Sequence, residues 1–157
     1  MIAKILLAGD GGQGVQTIAD IICRSAFAKG LQVSHIPNYG LEQRGGVSLS
    51  YIKIDDKQIG YPKFTQPDIL VVMSEQARER SKNYWHKDLK ILDVEDFKDE
   101  FSAKKTTAQN LNIFFLGILA KFLEEQKILS VAEIYAVLEQ KLGKKSNWEE
   151  VKKVFNT

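Results

Sequence analysis

A single cysteine, two histidines and three prolines stand among 157 residues, and each scarcity excludes a class of chemistry. One thiol excludes an internal disulfide and a self-contained iron–sulfur cluster, which needs about four thiolates. His35 and His86 are far apart and lack the i, i+4 spacing of a helical metal pair, so no metal site and no zinc or copper signature is expected. Cys23 falls inside an expected helix, which makes it a buried structural thiol rather than a reactive one. No apolar run approaches the roughly 20 residues that span a bilayer. The start of the chain also lacks a basic segment and a small-residue cleavage site, so a cytoplasmic protein with no membrane partner is expected. An excess of one charge is missing too. The 22 basic and 20 acidic residues give a net of +2 and are interspersed, which gives nucleic-acid binding no support. There is no internal repeat and no low-complexity linker, so residues 1–157 are expected to form one domain, with 44% hydrophobic content to supply its core.

Glycine, by contrast, is concentrated. An apolar run, Ile2 to Ala8, passes into Gly9-Asp10-Gly11-Gly12-Gln13-Gly14-Val15. A buried strand that breaks into four glycines and then enters a helix leaves backbone N–H groups free at the helix start. Both those groups and the helix dipole favour negative charge. Val15 to Lys29 has the amphipathic period of a helix, with Ile18, Ile21, Ile22 and Ala26 on one face and Gly30 as its stop. Leu31 to Ile36 completes a β–α–β unit whose strands must be parallel. Pro37 to Gly46 is a loop, and Val47 to Ile54 alternates as a strand. Asp55-Asp56 is a turn candidate, from which Lys57 to Tyr61 would return as an antiparallel partner. Asp68 to Met73 is a continuous apolar strand of the kind buried on both faces.

Further on, Ser74 to Tyr84 reads as a charged surface helix, Leu89 to Val94 as a short strand, and Glu95 to Thr107 as polar and irregular. Leu111 to Glu125 is apolar around most of its circumference, which implies burial against the sheet. Ser130-Val-Ala-Glu133 and Ser146-Asn-Trp-Glu149 match capping boxes and place helices at about 131–142 and 147–155. The expected fold is a three-layer α/β/α Rossmann-like domain. Its mixed sheet has a parallel core of 2–8, 31–36 and 68–73 and an antiparallel hairpin at 47–61.

Gly9-x-Gly11-x-x-Gly14 fits the dinucleotide fingerprint between a strand and a helix. That fingerprint also requires an acidic residue at the end of the second strand to hold a ribose hydroxyl. Here that strand ends Ser34-His35-Ile36-Pro37, with no carboxylate before Glu42 and no arginine there for a 2′-phosphate. A P-loop is excluded because Val15-Gln16-Thr17 supplies no phosphate-binding lysine. Two alternatives stay open at this point: a stand-alone dinucleotide-binding oxidoreductase and a non-catalytic anion-binding module.

A second motif follows, Pro37-Asn38-Tyr39-Gly40-Leu41-Glu42-Gln43-Arg44-Gly45-Gly46. Arg44 offers a guanidinium beside exposed backbone, suited to a carboxylate or phosphate. Together the two motifs, followed by Pro67-Asp68-Ile69-Leu70, resemble the gamma subunit or domain of the 2-oxoacid:ferredoxin oxidoreductases, which act on pyruvate, 2-oxoisovalerate, 2-oxoglutarate and indolepyruvate. GxGGQGV and YGxExRGG are hallmarks of that family and occur here in the right order. The resemblance runs from about Met1 to Val72 and resumes at Asn110-Leu-Asn-Ile-Phe-Phe-Leu-Gly117.

The resemblance implies oxidative decarboxylation of a 2-oxoacid with coenzyme A to acyl-CoA and carbon dioxide. Thiamine diphosphate, Mg and iron–sulfur clusters would be carried by the complex and none of them by this chain alone. The implied partners are thiamine-binding alpha and beta subunits, a ferredoxin-like delta subunit, and ferredoxin as electron acceptor. The isolated chain is then expected to be inactive, with no certain catalytic residue. Gly9, Gly11, Gly12, Gln13, Gly14, Tyr39, Glu42, Arg44, Gly45 and Gly46 are the residues expected to face cofactor or active centre.

Overall fold

The computed structural model describes residues 2–38 and 46–156. Its order is β1 (Ala3–Asp10), α1 (Val15–Ala28), β2 (Gln32–Asn38), β3 (Val47–Asp55), β4 (Ile69–Val72), α2 (Glu75–Arg80), β5 (Lys90–Asp93), α3 (Lys98–Ala103), α4 (Leu111–Glu125), α5 (Val131–Leu142) and α6 (Trp148–Phe155). The five strands form one mixed sheet in the order β2-β3-β1-β4-β5. β1 is buried along almost its whole length, so it needs a strand on each side. It pairs in parallel with β4, Ile5 opposite Ile69, and antiparallel with β3, Ala3 opposite Ile54.

Two expectations about the sheet need correction. Strand 31–36 is not part of the parallel core. β2 runs in the direction of β1, but β3 lies between them and pairs antiparallel with both, so the parallel core is β1, β4 and β5. β2 occupies the edge, where Pro37, which cannot donate to a ladder, is tolerated. The 47–61 hairpin does not form either. After Asp55, whose carboxylate accepts from Lys57 N at 3.1 Å, the chain leaves the sheet and Lys53 Nζ takes the Tyr61 carbonyl.

Helices cover the two faces unequally. On one face α1, α4, α5 and α6 enclose the main core around Ile5, Leu7, Ile18, Phe114, Leu119 and Phe155. On the other, α2 and the connector from β3 to β4 cover a smaller cluster around Leu6, Ala8, Leu70 and Ala77. α4 spans the residues its period predicts and is buried around most of its circumference. At Gly117 an added Cβ would lie 2.6 Å from the Phe155 carbonyl oxygen, which fixes how closely α6 crosses it. Ser130 and Glu133 form the expected capping box, with bonds of 2.7 and 3.0 Å. Ser146 does not cap: α6 starts at Trp148 behind Asn147, which makes no side-chain cap bond.

Residues 74–84 divide into α2 and a short 3-10 turn, Lys82–Tyr84. The stretch 95–107 is not irregular throughout. A 3-10 turn, Val94–Phe97, and α3 place Phe97 and Phe101 edge-to-face against Phe114, with centroids 6.4 and 5.3 Å away. Their i, i+4 spacing is a helical signal inside an otherwise polar run.

Arg78 of α2 grips Asp93 at the end of β5 through two bonds of 2.5 and 2.6 Å, and Asp93 also accepts from Glu95 N at 2.9 Å. Burial alone would raise the Asp93 pKa, but the Arg78 and Glu95 bonds outweigh it and hold the carboxyl below its usual range. A depressed carboxyl pKa contributes stability above the unfolded value, about 3.9, and loses it as pH falls through the folded one. Asp93→Ala should therefore lower unfolding free energy by about 2 kcal/mol at neutral pH. The gap from wild type in urea titrations should close as the pH drops below about 4. A gap independent of pH would refute the pairing as its cause.

Candidate functional site

The two parallel strands β1 and β4 send α1 and α2 to opposite faces of the sheet, which makes the ends of these strands a topological switch point, the usual place for a ligand in such sheets. Here side chains of the first motif fill that crevice. Gln13, at the tip of the loop, turns inward. Its Oε1 accepts from Asp10 N at 2.6 Å and its Nε2 donates to the Met73 carbonyl at 3.1 Å. Asp10 Oδ1 accepts from Ser74 Oγ at 2.7 Å and Gln76 Nε2 at 3.0 Å. Ser74 in turn accepts from Ala77 N and so caps α2, which ties the start of α2 to the end of β1. Gly9 belongs to this plug for steric reasons: an added Cβ would lie 2.8 Å from Val15, 3.0 Å from Gln13 and 3.3 Å from Met73.

Space opens instead on the β3 side. A cavity of about 430 Å3 is walled by Asp10–Gly12, Gly14, the first turn of α1 and Gly46–Ser48. Gly11 N donates to the Gly46 carbonyl at 2.8 Å, so the last residue of the second motif sits against the first. Gly12 has φ +91° with nothing within 4 Å of an added Cβ, so it is a pure backbone requirement. Gly14, φ +82°, carries two constraints at once. Its conformation is left-handed, and an added Cβ would collide with the amide of Asn112, whose Nδ2 reaches the Gly14 carbonyl at 3.5 Å. The Asn110–Gly117 segment thus supports the glycine loop from below.

Gly14 stands where a capping side chain would be, and no side chain caps α1. Among the described residues, no acceptor meets the N–H groups of Gly12, Gly14, Val15 and Gln16. They open on the cavity and can take an anionic or carbonyl oxygen. Gln16 and Ser48 also line it and belong to neither motif. The polar side of the alternating strand 47–54 and the position of Gln16 next to the loop were their only sequence signals.

Of the second motif, Gly46 is buried at this cavity, while Tyr39, Glu42, Arg44 and Gly45 lie outside the described residues. Asn38, which precedes Tyr39, lines another cavity of about 700 Å3 on the α2 face, with Tyr51, Tyr61, Phe64, Tyr84 and Lys63. There Tyr51 and Tyr84 share a 2.5 Å hydroxyl contact, and burial, then the Tyr84 bond, raises the Tyr51 pKa. Cys23 is partly buried. Its thiol is pushed up to about 12 by burial, with Asp20 adding to the effect, as a structural thiol requires. Among the described residues no group of three His, Cys, Asp or Glu could hold a metal ion, and no helix is long and apolar enough to cross a membrane.

The sheet order bears on the dinucleotide alternative. The fingerprint reads a ribose from the end of a strand adjacent to β1, and here β3 takes that place and runs the opposite way.

Comparison with known proteins agrees with the motifs. A family model described as pyruvate ferredoxin/flavodoxin oxidoreductase matches residues 4–157. The 2-oxoglutarate synthase subunit KorC of Methanothermobacter marburgensis is 44% identical over 78 residues, 49% of this chain and 42% of that protein. The pyruvate/ketoisovalerate oxidoreductases common subunit gamma of Thermococcus litoralis is 38% identical over 71 residues, 45% of this chain and 38% of that protein. These alignments span less than half the length of the curated relatives. The fold is shared with the gamma subunit of a keto/oxoacid ferredoxin oxidoreductase from Geobacter sulfurreducens, at TM-score 0.75 and 20% identity, covering 98% of this chain and 94% of that one. It is shared also with 2-oxoglutarate:ferredoxin oxidoreductase from Magnetococcus marinus, at TM-score 0.77 and 19% identity, covering 98% of this chain and 30% of that one. The chain belongs to the pyruvate ferredoxin/flavodoxin oxidoreductase family.

Proposed function

We propose that this chain is the gamma component of a complex that oxidatively decarboxylates a 2-oxoacid with coenzyme A, and that its two motif loops close over an active centre held by other subunits. The observation that carries this reading is the Gly11–Gly46 bond, which brings the ends of both motifs to one cavity beside N–H groups that no acceptor meets among the described residues. The donors there suit a phosphate or carboxylate oxygen at the edge of a bound group. They do not suit a whole cofactor site: one cysteine cannot hold a cluster alone, and the loop has no phosphate-binding lysine. As the family resemblance implies, thiamine diphosphate with its Mg ion would be held by alpha and beta subunits, where it supplies the carbanion chemistry, and the clusters by a ferredoxin-like subunit that passes electrons to ferredoxin. The chain's own part is to position an anionic group and exclude water. The whole length, 1–157, acts as one domain in this reading. Relatives are named for 2-oxoglutarate and for pyruvate and ketoisovalerate, and in this reading the partner subunits select the 2-oxoacid.

Two experiments test it. Tagged chain expressed in its own host should co-purify with thiamine-binding and ferredoxin-like subunits, and recovery as a lone chain under mild conditions would refute the assignment. In the assembled complex, Arg44→Ala should reduce turnover by about 10- to 100-fold, the worth of one charged hydrogen bond in a transition state, without loss of assembly. Wild-type turnover in that variant would remove Arg44 from the active centre.

A further inference from the structure

A chain of side chains that belongs to neither motif reaches the glycine-loop cavity from behind. His35 of β2 places Nε2 3.1 Å from Ser50 Oγ on β3. The Ser50 hydroxyl, fully buried, donates to Gln16 Oε1 at 2.8 Å, and Gln16 Nε2 donates to Ser48 Oγ at 3.3 Å. Gln16 and Ser48 both line the cavity.

Each hydroxyl has one proton to give, so the direction of the whole chain is set from one end. With the Ser50 proton on Gln16, the Ser50 oxygen must accept, which requires a proton on His35 Nε2. The Gln16 amide is then oriented with its NH2 on Ser48, and the Ser48 proton is left for the cavity. An imidazole protonated only at Nδ1 reverses every step. Ser50 donates to Nε2, Gln16 turns its NH2 to Ser50, Ser48 gives its proton to Gln16 Oε1, and the cavity meets a lone pair.

We propose that His35 is a positioning residue for this cavity: through Ser50 and Gln16 it sets whether Ser48 presents a proton or a lone pair to the group seated at the glycine loop. The proposal rests on the active-centre reading of the cavity and adds a tunable contact to it. An imidazolium carries protons on both nitrogens, so protonation locks the arrangement with donors outward, whereas the neutral ring admits both. The locked state favours a ligand group with acceptors only, a carboxylate or phosphate oxygen, next to the N–H groups at the start of α1.

The charged groups around His35 are few. From α1 comes Asp20, one turn beyond Gln16, whose carboxylate is paired with Arg24 at 3.1 Å and with Lys141 of α5 at 2.8 Å. Cys23, on the same stripe of α1, is neutral, and β3 supplies Ser48 and Ser50 on this face. Burial lowers the His35 pKa and Asp20 opposes it more weakly, so the change falls below the usual histidine midpoint.

Nitrogen-15 NMR of the full chain tests this through the His35 ring and the Gln16 side-chain amide across the histidine titration. Neutral His35 should populate the Nδ1–H tautomer beside Nε2–H, and the Gln16 amide should move in one step with the His35 midpoint. Ser50→Thr should keep that step, and Ser50→Ala should abolish it while His35 still titrates. His35→Gln, at a half-buried position on an edge strand, should also abolish it; should Ser50→Ala not fold, this variant alone decides. A Gln16 amide indifferent to His35, or a step that survives His35→Gln or Ser50→Ala, overturns the proposal. The coupling is read on the free chain, so it stands or falls separately from the assembly reading, which co-purification tests.

Discussion

Phe114→Ala should lower the unfolding free energy by about 4 kcal/mol, the middle of the range for truncating a buried aromatic ring. Phe114 is fully buried and makes edge contacts with Phe97, Phe101 and Phe115, at centroid distances of 6.4, 5.3 and 5.8 Å. Such pairs add about 0.5–1.5 kcal/mol each beyond the area they bury. The loss is not confined to a cavity, because Phe97 and Phe101 attach the Val94–Ala103 stretch to the core through this ring. Hydrogen exchange should therefore show residues 94–103 opening well below the global unfolding energy in the variant. Urea titration giving less than about 1.5 kcal/mol would mean that the site collapses around the gap.

Gly14→Ala should cost about 3 kcal/mol, and Gly12→Ala only about 1. Both alanines would take a left-handed backbone, φ +82° and +91°, which accounts for the common part. The difference lies in surroundings. The Gly12 methyl would enter open space, whereas the Gly14 methyl would displace the Asn112 amide and with it the N-terminus of α4 from the loop. Equal losses at the two positions would show that backbone strain alone decides. Because Gly12 faces the cavity, its alanine variant should be destabilised only by that backbone strain yet should block close approach of a ligand or partner to the Gly12 N–H group.

Much of the architecture was legible in the sequence where one residue pattern had one physical solution. The apolar runs of β1 and β4 demanded central strands. The all-round apolar 111–125 demanded a buried helix, and Ser130–Glu133 fixed a helix start. Where a pattern had several solutions, the nearest in sequence was not the one adopted. Lys57–Tyr61 could pair with β3 only at short range, but β1 and β2 both needed a partner, and β3 between them satisfies both ladders. Ser146-x-x-Glu149 had the letters of a capping box without the backbone that would bring them together.

The candidate site divides the same way. Its glycines were legible because a turn at positive φ and an uncapped helix start leave a composition that nothing else requires. The direction of Gln13 was not, since an amide at a loop tip can face solvent or backbone equally well. Only the Met73 carbonyl, 60 residues away, settles that it faces in.

By itself, the sequence determined the class of the fold, the two loops and the family to which they belong, because strand burial, helical period and glycine backbone are local properties. The tertiary structure decided where the cavity lies. Asp10 and Gln13 fill the switch point through Ser74, Gln76 and Met73, and the insertion of β3 beside β1 opens space against Gly46 and Ser48 instead. It also decided that Gln16, Ser50 and His35 form one hydrogen-bonded chain. Each of those contacts joins residues more than 10 positions apart, and hydrogen-bond geometry at that separation is set by strand order and register, which no local pattern encodes.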